Sequence, residues 1–207
     1  MARRKKALQQ RAKILQAIRN FFVEQGYVEV ETPHRIPAPA PESHVDAIPS
    51  EAWFLHTSPE LCMKRMLAAG YEKIFQICRC WRGGERGTQH IPEFTLLEWY
   101  HSGIDYWMLM EECAGLIQTV ASKVGLGERI SFRGQAIDLT NPWDRISVTE
   151  VFRQYTKTSP EEALKNEGFD EMMVRDIEPR LGKRKPTFIY NYPAQRAALA
   201  RLTPQDK

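Results

Sequence analysis

Leu8, Ala12, Leu15, Ile18 and Phe22 recur at helical spacing with polar residues between them, and Gly26 follows where a left-handed turn can end a helix. The pattern predicts a first helix ending near Gln25. Val28 and Val30 then alternate with Glu29 and Glu31, the period of a short strand, and Pro33 stops it. Over residues 33–49, Pro37, Pro39 and Pro41 favour an extended, ordered crossing rather than a linker between domains. In "TSPELCMKRMLAAG", Ser58 is suited to cap a second helix, Pro59 to open it, Glu60 to offset the dipole and Gly70 to end it.

Residues 73–81 and 93–101 read as strands, joined by the polar loop "RGGERGTQHI" into a long antiparallel hairpin. A third helix is predicted over 106–124, capped by Asp105 and ended at Gly125, with Leu109, Cys113, Leu116, Val120 and Val124 on one face. Weaker elements follow: a strand pair around 130–139, a helix near 148–155, a charged helical segment from 160 to about 175, and a strand over 187–192. No internal repeat interrupts the series. The mixture predicts an α+β fold in a single domain over residues 1–207.

The hairpin concentrates the chemistry, and strand parity shows how. Phe94, Leu96, Glu98 and Tyr100 fall on one face of the second strand, and Gln76, Cys78, Cys80 and Arg82 share one parity on the first. If these faces coincide, a guanidinium at the base of the loop lies near an aromatic platform, with a carboxylate and a phenol further along. That surface suits a nucleotide at one end, with Arg82 for phosphate and Phe94 for a purine, and a cationic substrate at Glu98 and Tyr100. The same residues also suit a cross-strand Arg82–Glu98 ion pair under ordinary packed aromatics. Three glycines in the loop favour a flap that exposes backbone N–H groups.

Composition narrows the classes. The net charge is only +3, yet Arg3, Arg4, Lys5, Lys6, Arg11, Lys13 and Arg19 all precede the first acidic residue, Glu24. Such a start fits either the solvated face of a helix or a contact with RNA or an acidic partner. No run approaches the roughly 18 apolar residues of a membrane span, and no apolar leader opens the chain, so a cytoplasmic location is expected. Cys62, Cys78, Cys80 and Cys113 form no C-x-x-C pair, which favours free thiols over a metal site.

"FQICRCWRGGERGTQHIPEFTLLEWY" resembles motif 2 of the class II aminoacyl-tRNA synthetases, in their lysyl branch, and "QGYVEVETP" resembles motif 1. "LHTSPELCMKR" is similar to the lysine-binding helix start of that branch, and "KPTFIYNYPA" extends the resemblance to about Ala194. The resemblance puts motif 1 near 18–33 and motif 2 near 75–101. It implies an antiparallel sheet flanked by helices and a homodimer formed through motif 1. It also implies catalytic roles for Arg82 on the α-phosphate of ATP and for His90 toward the outer phosphates. Phe94 would stack on adenine. Ser58 and Glu60 would bind the polar groups of lysine, Glu98 would belong to the same pocket, and Tyr100 would pack along the side chain. Two positions depart from the pattern. The loop opens Arg82-Gly83-Gly84-Glu85, which either displaces the adenine-reading carboxylate to Glu85 or removes it, and Ile91 stands where an amide helps to bind ATP.

Motif 1 begins almost at once, with no room before it for an anticodon-binding barrel. That shortness resembles the lysyltransferases that attach lysine or β-lysine to elongation factor P, with tRNA the less favoured acceptor. A protein acceptor of this kind, and no membrane, is the expected partner. The fold is expected to be incomplete at its C-terminus. Motif 3 and the acidic segment that supplies Mg²⁺ ligands would follow Lys207, so no metal ligand is assigned within the chain.

Overall fold

A computed structural model describes residues 2–42, 44–88, 90–140, 142–197 and 199–202. The chain divides into two compact units, one up to Leu109 and one from Met110 onward.

In the first unit, α1 (Ala2–Glu24) is followed by β1 (Val28–Glu29), β2 (Arg35–Ile36), β3 (Ile48–Ser50) and β4 (Trp53–Leu55). Then come α2 (Glu60–Ala68), β5 (Lys73–Trp81) and β6 (Glu93–His101). The predicted hairpin forms in the register Lys73↔His101 through Trp81↔Glu93. β1 joins its edge in parallel, Val28 beside Ile74. The proline-rich crossing is ordered, but it also contributes β2 and β3, which flank β4 in a second small sheet. Strands of two or three residues are too short for a period of two to show in the sequence.

α1 packs on one face of the hairpin. Phe22, 1% exposed, stacks on Phe75 at 4.8 Å and meets Tyr27 edge-on at 5.0 Å and Trp99 at 5.6 Å. Burying such a ring contributes about 1.5–3 kcal/mol. Only part of the predicted stripe is covered, because Leu8 and Ala12 are exposed and burial is concentrated at Ala17, Phe21 and Phe22. α2 lies against residues of the hairpin's other face, where the fully buried Met63 clusters with Val30, Ile74 and the partly buried Tyr100. Pro59 is the N-cap of α2 rather than its first helical residue, and Ser58 lies one position earlier while its Oγ accepts from the Glu60 N–H at 3.0 Å.

The second unit takes most of α3 (Tyr106–Lys123), the hairpin β7 (Arg129–Phe132) and β8 (Gln135–Asp138), and β9 (Asp144–Ser147). α4 (Val148–Tyr155), α5 (Pro160–Lys165), α6 (Phe169–Met172) and β10 (Thr187–Tyr190) complete it. The buried residues of α3 are Met110, Ala114, Leu116 and Ala121, so the stripe is displaced from the predicted one; Leu109 is 38% exposed. The single charged helix predicted from 160 to 175 is broken: Glu167 takes a positive φ, Gly168 caps α6, and a π-helical turn spans Met173–Ile177. Val148, Val151, Phe152, Ala163, Phe169, Met173 and Ile177 form its main core. β9, absent from the sequence expectation, pairs in parallel with β10.

The class is therefore α+β, as expected. Among the described residues the strands form four small sheets with two parallel pairings, in place of one antiparallel sheet.

Candidate active site

Register answers the question that parity left open. Gln76 lies opposite Glu98, Cys78 opposite Leu96 and Cys80 opposite Phe94, so the two predicted faces are one face. The alternate parity carries Phe75 and Trp99, which meet α1.

At one end of this face, the Arg82 guanidinium lies 5.2 Å from the centroid of the Phe94 ring. Its Nε donates to the Thr57 carbonyl at 3.4 Å and its Nη1 is 3.8 Å from Glu85 Oε1. Arg82 thus pairs with Glu85 in its own loop, not with Glu98. The loop is anchored at its base, where the Arg82 N–H donates to Pro92 O and the Gly83 N–H donates to Asp46 O at 2.7 Å. A Cβ on Gly83 would lie 3.4 Å from Asp46, in van der Waals contact with it. Gly84 follows with φ +72°, a left-handed conformation. His90 and Ile91 are exposed, Ile91 to 62%; the neighbouring Gln89 lies outside the described residues. The structure brings Glu85 and Phe94 to Arg82 and leaves His90 and Ile91 exposed in the loop.

At the other end, Glu98 is pinned between two hydroxyls. Ser58 Oγ donates to Oε2 at 2.7 Å, and the Tyr100 phenol donates to Oε1 at 2.5 Å. Burial pushes the Tyr100 phenol well above its ordinary value, reinforced by the hydrogen bond to Glu98 and by the charges of Glu98 and Glu60. Two carboxylates therefore act on one phenol, an arrangement that attracts a cation. Glu60 is itself held by Lys64, whose Nζ donates at 2.5 Å across one helical turn. Phe94 and Glu98 are four residues apart, roughly 13 Å at about 3.3 Å per residue. That is the span of a nucleotide joined to an amino acid.

Between the two ends lies a group that sequence reasoning did not assemble. His56, Cys78 and Cys80 are buried, with Sγ–Sγ 3.8 Å, Cys80 Sγ to His56 Nε2 3.8 Å, and His56 Nε2 2.6 Å from Arg79 O. The His56 Nδ1 and both polar atoms of the Gln76 side chain are buried without a partner. Cys78 is lowered to about 5, first by the hydrogen bond from Cys80, against the opposing effect of burial, and then by His56. Cys80 is pushed far up by that same hydrogen bond and by burial. Burial of His56 opposes its protonation but is outweighed by Cys78 and the Arg79 carbonyl, so the imidazole is raised. All four cysteines are free, as expected. Strand parity puts both sulfurs on one side of β5; the approach of His56, 24 residues away at the end of β4, is what no local signal shows.

The family of tRNA synthetases class II (D, K and N) matches the chain over residues 1–207, and the chain belongs to that family. Among its relatives, it is 36% identical over 217 residues to the elongation factor P--(R)-beta-lysine ligase of Vibrio atlanticus (strain LGP32), covering 97% of this chain and 67% of that protein. The proteins of the same name from Pseudoalteromonas translucida (strain TAC 125) and Erwinia tasmaniensis are 35% and 36% identical, each covering 96% of this chain and 66% of the relative. The chain thus spans about two thirds of the length of these relatives.

Proposed function

We propose that this chain activates lysine or (R)-β-lysine with ATP and transfers it to a lysine side chain of elongation factor P. The observation that carries the reading is the half-buried Glu98 carboxylate, held by Ser58 and Tyr100 on the strand face that ends in Arg82 and Phe94. Glu98 and Glu60 receive the substrate's ammonium groups, and Tyr100 packs along its chain. Phe94 stacks on adenine, while Arg82 leaves Glu85 to hold the α-phosphate as charge grows on its oxygens. His90 swings toward the outer phosphates, and Gly84 and Ile91 contribute backbone contacts along the loop.

In the first step a carboxylate oxygen of the amino acid attacks the α-phosphorus, and the bond to pyrophosphate breaks. The nucleophile is already ionised, so alignment of two anions is the main task. In the second step the acceptor amine attacks the activated carbonyl carbon, and AMP leaves. Mg²⁺ would accompany ATP in such chemistry. The carboxylates at the site are already taken up by Ser58, Tyr100, Lys64 and Arg82, and the donor trio His56–Cys78–Cys80 is too soft for that cation, so no step is routed through it.

The reading extends to the assembly and its setting. A homodimer through the motif 1 region is supported by the exposed apolar residues Leu8, Val23 and Val28, and an elongation-factor substrate implies the cytoplasm. No helix among the described residues is long and apolar enough to cross a membrane. The test combines lysine-dependent exchange of pyrophosphate into ATP with transfer of labelled (R)-β-lysine to purified elongation factor P. Label in the factor supports the proposal; label in tRNA instead, or ligand binding without exchange, overturns it.

A further inference from the structure

Cys78 and Cys80 sit two residues apart on one face of β5, with their sulfurs 3.8 Å from each other and His56 Nε2 3.8 Å from Cys80. Buried cysteines far from other donors are inert packing residues. These two are in mutual contact, and an imidazole with an unpartnered buried nitrogen adjoins them. Access is asymmetric. Cys80 is fully buried, whereas Cys78 keeps 7% of its surface and lines an open cavity of about 680 Å³ together with Arg11, Glu31, His34, Gln76 and Arg79. The trio could also be read as ligands for a thiophilic cation, but the His56 nitrogen nearest the sulfurs is already committed to the Arg79 carbonyl at 2.6 Å. A ligating imidazole needs that lone pair free and an acceptor for its other N–H. Neither condition is met.

We propose that Cys78 and Cys80 form an oxidisable dithiol in which Cys78 reacts first with a hydroperoxide and Cys80 resolves it to a disulfide, uncoupling the substrate platform. The sulfur of Cys78, present as thiolate, attacks the distal oxygen of the hydroperoxide. An S–O bond forms, the O–O bond breaks, and the departing alkoxide or hydroxide takes a proton supplied by His56. Cys80 then attacks the Cys78 sulfenic acid: the S–S bond forms, the S–O bond breaks, and hydroxide leaves with the Cys80 proton as water. Two electrons pass from the sulfurs to the peroxide. The lowered Cys78 group supports the order of attack, since thiolate is the nucleophile.

Closing the bond brings the sulfurs from 3.8 Å to about 2.05 Å. Cys80 is the cross-strand partner of Phe94, and Cys78 that of Leu96, so the shift is imposed within the platform face itself. Its effect on ligands rests on the proposed function; the sulfur chemistry does not.

The experiment treats the purified protein with a few equivalents of hydrogen peroxide, quenches with an alkylating reagent and digests with trypsin. Because trypsin cuts after Arg79, a Cys78–Cys80 disulfide holds two peptides together, with a mass 2 Da below the reduced pair, and dithiothreitol releases them. We expect this product before any change at Cys62 or Cys113, and a loss of ATP affinity of at least tenfold by calorimetry that dithiothreitol restores. Cys80→Ser should stop at a Cys78 sulfenic acid trapped by dimedone, with no linked peptides. Unreacted Cys78 and Cys80, earlier oxidation of Cys62 or Cys113, or stoichiometric zinc that blocks the reaction overturns the dithiol. A disulfide that forms without changing ligand affinity overturns the switch, and a disulfide in a protein that never activates lysine separates this proposal from the functional one.

Discussion

Glu98 accepts from two hydroxyls at once, which fixes the orientation of its carboxylate in a half-buried setting. Tyr100→Phe removes one donor and keeps the ring, so lysine affinity should fall by about 1.5 kcal/mol, roughly tenfold, in calorimetry, with ATP affinity unchanged. Cys78 yields a second residue-scale expectation. Its folded value of about 5 lies below the ordinary 9.0, so the stability this group contributes is fully present above pH 9 and is lost as pH falls through about 5. Alkylation of Cys78 in the folded protein should therefore titrate near pH 5, against 8–9 in the unfolded chain, as followed by mass spectrometry. At this scale parity put Phe94, Glu98 and Tyr100 on one face of their strand and Arg82 with Gln76, Cys78 and Cys80 on one face of the other strand, and register joined the two faces. Parity could not place Ser58, His56 and Lys64 against them, because those side chains arrive from β4's exit and α2, and their approach depends on tertiary packing.

Elements with strong local signals formed where the chain predicted them. β5 and β6 match the predicted spans, since long alternation is read within a dozen residues, and so does α4, expected among the weaker elements and secured by a capping box. In α4 the Ser147 side chain accepts from the Glu150 N–H, while Glu150 accepts from the Ser147 N–H. Ser147→Ala should cost about 1 kcal/mol, seen as a lower denaturant midpoint with an unchanged slope. The β7–β8 turn uses Arg133 at φ +50° and Gly134 at φ +78°, both in the left-handed region. Arg133→Gly should raise stability by a few tenths of a kcal/mol, by relieving the Cβ of a residue that the turn does not favour. The strands that went unseen, β2, β3, β4 and β9, are two to four residues long and are defined by what they pair with. The broken helix after Pro160 shows the complementary failure: its charges suit a helix, but Glu167 and Gly168 turn the chain so that Phe169 and Met173 reach the core.

Across the molecule, each unit carries its own hydrophobic core. In the first, Phe22→Ala removes a ring that touches Phe75, Trp99 and Tyr27, and about 3–5 kcal/mol of stability should go with it in chemical unfolding. The sequence by itself determined the family and the α+β class, because period, caps and motif order are local properties of the chain. Tertiary structure decided the rest: that the two parities form one surface, that Ser58 holds the Glu98 carboxylate, and that His56 meets the two sulfurs between the ends of that surface. Those are contacts between segments far apart in sequence, set by register and packing, which no local pattern encodes.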